Sequence, residues 1–153
     1  MRRSVILTLL LAMTFFTGCR ESNTGTHVFF VMFESAPNIF DNTVYANGVS
    51  VGEIVDRAVA GSGVARFAIV ISGDQRGLMK DSAAFYVSAG RLTYTTLAGY
   101  GNAVEPGAKF MGFGSRMGLN WFKAKSLMTQ TSRAAAGRAR ELFEAFEAGS
   151  KGQ

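Results

Sequence analysis

The chain has 153 residues, 48% of them apolar and 18% charged, which fits one globular domain with appendages and excludes wholesale disorder. Its single cysteine excludes an internal disulfide, and one cysteine with one histidine, His27, excludes a structural zinc site. The net charge is +5, but residues 27–108 hold five basic and seven acidic residues, so the positive excess lies at the two ends of the chain. A slightly acidic central region argues against a nucleic-acid partner.

The first 18 residues have the pattern of an export signal. Arg2 and Arg3 precede an apolar run from Val5 to Phe16. As a helix this run spans about 18 Å, too short for a hydrocarbon core of about 30 Å. A short apolar run behind two arginines is typical of a signal peptide, so we predict that residues 1–18 are one.

Small residues precede the only cysteine, and polar residues follow it. The segment Phe16-Thr17-Gly18-Cys19 resembles a bacterial lipobox, which implies that Cys19 carries the lipid anchor and that residues 19–26 form a tether. The chain is then expected on the periplasmic face of the cell envelope, held by either the inner or the outer membrane. A plain secretory signal with an incidental buried cysteine is the alternative.

Seven short strands are predicted between residues 27 and 115, with glycine at most junctions and no helical period between them. This pattern favours a mainly β domain, a small antiparallel sandwich or barrel. The predicted strands are Val28–Phe33, Thr43–Ala46, Ser50–Ala60, Val64–Ser72, Ala83–Ala89, Leu92–Leu97 and Ala108–Phe113.

The period changes after Gly118, and residues 116–153 are predicted to be a helical segment. Its amphipathic helix is expected from near Trp121 to just before Gly149, which resembles a C-cap. Two arrangements are open, a helix folded back on the β domain or a helix packed against copies of itself. The apolar stripe consists of Met128, Ala135, Ala139, Leu142 and Phe146.

Residues of catalytic type are sparse. The sequence after the signal has no Ser/His/Asp constellation, no Gly-x-Ser-x-Gly, no phosphate-binding loop and no metal-ligand cluster. The carboxylates Glu53 and Asp56 stand beside Arg57 and have the pattern of a solvated surface. The sequence therefore predicts a protein that is not an enzyme and needs no cofactor or metal.

Four segments together resemble the MCE (mammalian cell entry) or MlaD family. The most specific contains Gly48-Val49-Ser50-Val51-Gly52, like the family pattern Gly-Val-x-Val-Gly. The four follow one another in family order over residues 27–114. They are Val44–Val55, Lys80–Val87 (with Asp81-Ser82), Gly90–Tyr94 and Val104–Phe110.

The resemblance implies a seven-stranded β-barrel, commonly assembled as a homohexameric ring around a pore. It also implies binding and transfer of phospholipids, with an ABC-type permease and an ATPase as partners. A mixed ring with other family members is a further option. In the family, a Gly-Leu-Leu-Gly turn projects apolar residues into the pore, and C-terminal helices line or extend the tunnel.

By this resemblance, the pore-loop residues are Arg91 and Leu92. The sequence departs from the family here, since Arg91 stands where the first Leu is usual. A ring of Arg91 side chains would meet lipid phosphates and a ring of Leu92 side chains would meet acyl chains. The alternatives are a solvated charge for Arg91 and ordinary packing for Leu92. The candidate tunnel-lining residues on the helix are Leu142, Phe143 and Phe146.

The motif residues are expected to form the fold and not to do chemistry. Gly48 and Gly52 would permit a tight turn and a close backbone approach. Asp81 and Ser82 would hydrogen-bond to backbone at a turn. Val49 and Val51 are expected on one face of a strand.

The sequence thus predicts a membrane-anchored lipid-binding component of an MCE/Mla-type ABC transport system. The alternative is a structural lipoprotein that joins an envelope complex without handling lipid. The basic residues of the C-terminal segment would then dock on an acidic partner or on anionic headgroups. They include Arg116, Lys123, Lys125, Arg133, Arg138 and Arg140.

Overall fold

The computed structural model describes residues 27–126 and 131–150, and they form a closed seven-stranded β-barrel followed by two helices. The mainly β prediction is confirmed, and every predicted strand lies within about one residue of its observed bounds. The strands are β1 (Val28–Phe33), β2 (Thr43–Ala46), β3 (Val49–Val59), β4 (Ala65–Ile71), β5 (Ala83–Ser88), β6 (Arg91–Thr96) and β7 (Lys109–Phe113). A short 3₁₀ helix, Gly73–Leu78, connects β4 to β5.

The strand order around the barrel is β1-β4-β3-β2-β6-β5-β7, closed by β7 against β1. The expectation of an antiparallel domain is wrong in part, because β1–β7, β2–β6 and β5–β7 pair in parallel. The other four pairs are antiparallel. Three antiparallel pairs, β2–β3, β3–β4 and β5–β6, join consecutive strands. The antiparallel β1–β4 pair and the three parallel pairs join strands that are not consecutive along the chain.

The barrel has two ends that matter for function. At the N-terminal end β1 begins, and the Asn47-Gly48 turn and the 97–108 loop lie there. At the opposite end, the hairpin end, β5 turns into β6 through Ala89 and Gly90. The strands β1 and β7 also finish there, since both run parallel.

Apolar side chains form two layers, one inside the barrel and one outside it. Along β1, Phe29, Val31 and Phe33 belong to the inner core, whereas Phe30 and Met32 belong to an outer cluster beneath the helices. A strand covered on both faces needs apolar residues at every position. This double coverage explains the uninterrupted apolar run of β1.

The helical segment consists of α1 (Arg116–Ser126) and α2 (Thr131–Ser150). Helix α1 begins earlier than predicted because Ser115 Oγ accepts a hydrogen bond from the Gly118 amide at 3.1 Å and caps it. Gly149 is not a C-cap. It lies inside α2, where an added Cβ would stand 3.3 Å from Ala60 Cβ. Neither described helix combines the length and apolar character needed to cross a membrane.

Helix α2 folds back on the outside of the barrel, against β7, β1 and β4. Its stripe residues Ala135, Ala139, Leu142 and Phe146 are all buried there. Of the two arrangements left open by the sequence, this chain adopts the folded-back one. Met128, the first residue of the predicted stripe, lies outside the described residues, as does the predicted signal and tether.

Candidate functional site

The β5–β6 hairpin, which holds the first candidate site, is a tight two-residue turn and not a long loop. Ala89 and Gly90 both have positive φ, 50° and 72°, between the paired residues Ser88 and Arg91. Two positive φ values suit the twist of a hairpin, and Gly90 adopts its conformation without strain. The turn leaves Arg91 as the charged residue at the tip.

Arg91 is exposed and held in place from one side. Its guanidinium lies 5.3 Å from the centroid of the Tyr45 ring, and its Nε lies 4.0 Å from an Asp41 carboxylate oxygen. The Tyr45 hydroxyl donates a 2.7 Å hydrogen bond to the same carboxylate, and the Thr43 amide donates another at 2.8 Å. These hydrogen bonds, with a smaller contribution from Arg91, lower the pKa of Asp41.

Phe40 completes this surface and was missed by the sequence analysis. Its ring is 79% exposed and packs beside Gly90, and its amide donates a 2.9 Å hydrogen bond to the Gly90 carbonyl. Phe40 follows a Pro37-Asn38 pair that is typical of a turn, but the sequence does not reveal which barrel end receives that loop. We call Phe40, Asp41, Tyr45 and Arg91 the hairpin surface.

Leu92, which the resemblance predicts to be a pore-loop residue together with Arg91, does not belong to the hairpin surface. Its side chain is fully buried in the inner core, opposite Val87 and beside Val44. Side chains alternate along a strand, so an outward Arg91 makes Leu92 point inward. The structure therefore favours ordinary packing for Leu92, and the lipid-contact hypothesis for this residue has no exposed surface to support it.

The three candidate tunnel residues of α2 also face the barrel. Leu142 and Phe146 are buried in the outer cluster. Phe143 is half-buried, with its ring 6.3 Å from that of Phe30 and 3.7 Å from Lys109 Nζ. In this chain the three residues attach the helix to the barrel, and their tunnel-lining role stays a prediction.

The glycine motif forms the fold as the sequence predicts. Gly48, at φ 82°, makes the β2–β3 turn with Asn47, and a Cβ on Gly52 would collide with the Val70 carbonyl oxygen of β4. Val51 is buried, whereas Val49 at the barrel rim is 64% exposed, and their placement on one face of the strand stays a prediction.

Asp81 and Ser82 have different roles. Asp81 Oδ1 accepts a 3.1 Å hydrogen bond from the Asn102 amide and so ties the 97–108 loop to the start of β5. Ser82 Oγ is buried and has no hydrogen-bond partner among the described residues. The predicted turn-stabilising role therefore applies to Asp81 alone.

The barrel interior is filled by side chains. Five phenylalanines lie in the inner core, and Phe85 contacts both Phe110 and Tyr94 edge to face, with centroids 5.7 and 5.8 Å apart. The remaining interior phenylalanines are Phe29, Phe33 and Phe67. Such packing is typical of small barrels, whose interiors hold side chains and no passage. In the part of the chain that the structure describes, no group of three or more His, Cys, Asp or Glu residues is placed to hold a metal ion.

No family model matches the chain, and no curated protein matches it. A similar solved structure is a chain of the Acinetobacter MlaFEDB complex in the ATP-bound Vtrans1 conformation. The two are 12% identical with a TM-score of 0.43, and the match covers 72% of this chain and 84% of that one.

Proposed function

We propose that this protein is a membrane-anchored lipid-binding component of an MCE/Mla-type transport system, located on the periplasmic face of the bacterial envelope. In this proposal, copies of the chain assemble into a ring, a homohexamer or a mixed ring, that passes phospholipids between membranes. An ABC-type permease and an ATPase are its partners. The protein carries out no covalent chemistry.

One observation supports this function above the others. The four segments that resemble the MCE family occupy structural positions of a seven-stranded closed barrel, the fold that the resemblance implies. The Gly48 turn, the Gly52 contact with β4 and the Asp81 hydrogen bond each depend on one of the quoted residues. If the motifs matched by chance, we would not expect their residues to lie at a turn, at a close contact between strands and at a loop hydrogen bond of the same barrel.

The packed interior argues against a lipid path through the barrel itself. Because aromatic side chains fill the barrel, an acyl chain has no path through a single copy. Exposing the methylene groups of an acyl chain to water costs about 0.8 kcal/mol each, so lipid transfer needs an apolar path. In a symmetric ring, one apolar residue per chain is enough to form such a path, because the residue is repeated in every copy. We therefore assign the path to the space between copies.

The hairpin surface is the part of the barrel best suited to that path. It combines the exposed ring of Phe40 with the exposed guanidinium of Arg91, which suit an acyl chain and a phosphate respectively. With Cys19 lipidated, residues 20–26 span at most about 25 Å between the membrane and β1. The N-terminal end then faces the anchoring membrane, and the hairpin surface faces away from it.

Native mass spectrometry of residues 20–153, purified without detergent, tests this function. We expect a hexamer-sized ion that carries phospholipid-sized adducts, and a loss of adducts in Arg91→Glu. The matched control is Arg140→Glu, an exposed arginine of α2 outside the hairpin surface. A ring without lipid would favour the structural lipoprotein instead, and a lipid-free monomer would contradict a self-sufficient ring.

A further inference from the structure

A groove of about 990 Å³ lies at the hairpin end, between the barrel rim and the two helices. Its floor is formed by the ends of β1 and β7, and its walls are α1 and α2. We call it the helix groove. It is separate from the hairpin surface and shares no residue with it. Its apolar lining consists of the buried residues Phe33, Met111 and Phe113, the half-buried Phe122 and the exposed Trp121.

Two glycines keep the helix groove open. An added Cβ on Gly114 or on Gly137 would meet nothing within 4 Å, and neither residue has a positive φ. Gly137 lies in the middle of α2, where glycine costs about 1 kcal/mol relative to alanine. The helix therefore carries an unfavourable residue where a side chain would occupy the groove.

The charges of the groove are divided into two groups. On α2, Arg138 bonds both Glu34, at 3.1 Å, and Glu141, at 2.9 Å, so this group has one cation and two carboxylates. On α1, Lys125 Nζ lies 5.2 Å from the centroid of the Trp121 ring, and no described carboxylate lies within 4.0 Å of it. Among the described residues, Lys125 is thus a cation without a carboxylate partner, and the group around Arg138 has net charge −1.

We propose that the helix groove binds a single-chain zwitterionic phospholipid of the lysophosphatidylethanolamine type. Lys125 binds the phosphate, the Glu34–Arg138–Glu141 group binds the ammonium, and the acyl chain lies along the apolar floor against Trp121. This inference rests on the proposed function in taking a lipid as the ligand. It adds a lipid site within one copy, distinct from the path between copies.

The volume of the groove favours this occupant over a partner helix. Sites for small ligands reach about 1,000 Å³, which matches the groove. Three turns of a helix about 10 Å across would occupy about 1,300 Å³. The groove presents a cation, Lys125, and an acidic group around Arg138, and a zwitterionic headgroup has a charge that complements each of them. A fatty acid has only a carboxylate, so it would leave the acidic group with no cation other than Arg138.

Trp121 is the only tryptophan of the chain and is 66% exposed, so its fluorescence reports directly on the groove. The test is a titration of the mature chain with lysophosphatidylethanolamine below its micelle concentration. We expect a saturable blue shift as the acyl chain covers the indole. In Lys125→Glu, the apparent Kd should rise about tenfold or more.

Gly137→Leu is the decisive variant because residue 137 lines the groove and its added Cβ meets no atom within 4 Å. It should weaken binding at least tenfold while its thermal unfolding temperature stays equal to or above that of the wild type, since leucine favours the helix. The matched control is Ala145→Leu, which adds the same side chain at an exposed position of α2 outside the groove.

Three results would overturn the inference. These are the absence of any saturable shift in the wild type, an equal affinity in Gly137→Leu, and palmitate binding as tightly as the lysophospholipid. None of them affects the adducts sought by native mass spectrometry. Failure of the groove and failure of the proposed function are therefore separate outcomes.

Discussion

The guanidinium of Arg66 on β4 lies 5.0 Å from the centroid of the Phe146 ring on α2. It also lies 5.4 Å from the centroid of the Phe30 ring on β1, and its Nη2 contacts Asp56 at 3.4 Å. An arginine near rings of both a strand and a helix joins them by packing and by cation–π attraction. The C-terminal helix is therefore part of the barrel fold and not an appended arm.

This arrangement predicts that Phe146→Ala destabilises the whole barrel. Removing a buried phenylalanine costs about 3–5 kcal/mol in a core, and we expect about 3 kcal/mol at this interface. The measurement is the free energy of unfolding from a urea titration. Glu147→Ala, an exposed neighbour, should stay within about 0.5 kcal/mol of the wild type. A change below about 1 kcal/mol for Phe146→Ala would show that the stability of the barrel does not depend on the packing of α2.

Gly52 is predicted to tolerate no side chain. A Cβ there meets the Val70 carbonyl oxygen, which is backbone and cannot rotate away. Gly52→Ala should lower the free energy of unfolding by about 3 kcal/mol or more, whereas Gly77→Ala, where a Cβ meets nothing within 4 Å, should be nearly neutral. Urea midpoints of the two purified variants give the comparison. Equal midpoints would contradict the close approach of β3 and β4.

Substitutions at the neighbouring hairpin residues Leu92 and Arg91 are predicted to have different effects, the first on stability and the second on lipid retention. Leu92→Asp places a carboxylate in the inner core and should prevent folding, since an unpaired buried charge is very costly. Arg91→Glu changes an exposed side chain and should keep the unfolding midpoint of the wild type, while phospholipid retention falls. Circular dichroism and native mass spectrometry measure the two effects. A folded Leu92→Asp barrel would mean that Leu92 does not lie in the core.

Tyr94 makes stability sensitive to high pH. Burial raises its pKa above 10.0, and its hydroxyl donates a 2.8 Å hydrogen bond to the Leu78 carbonyl. Because the pKa of Tyr94 is higher in the folded than in the unfolded chain, its neutral hydroxyl favours the folded state. This stabilisation is present below pH 10 and is lost as the pH rises through the folded-state pKa. Unfolding free energies at pH 8 and pH 11 should therefore fall more in the wild type than in Tyr94→Phe. The same fall in both proteins would assign the alkaline loss to other groups.

The strands and their turns were predictable because their signals are local. Short segments with glycine at most junctions marked all seven strands within about one residue of their bounds. The parallel pairs, such as β1 with β7, were not predictable. They join residues about 80 positions apart, and no short-range pattern encodes such a contact.

The candidate site was predictable only in part. The sequence identified Arg91 as unusual, but it did not reveal that Leu92 points into the barrel or that Phe40 reaches the same turn. Both facts depend on how strands distant in the chain come together. The functional assignments for Arg91 and for the lipid anchor at Cys19 remain predictions.

By itself, the sequence determined the number and position of the strands, the presence of a C-terminal amphipathic helix and the resemblance that led to a lipid-binding role. These properties depend on residue type and on apolar periods of two residues for strands and 3.6 residues for helices, which can be read from consecutive residues. Only the tertiary structure decided which surface the helix covers, which candidate residues stay exposed and where a groove remains between helix and barrel. Those properties arise from burial, and burial depends on which distant segments pack against each other.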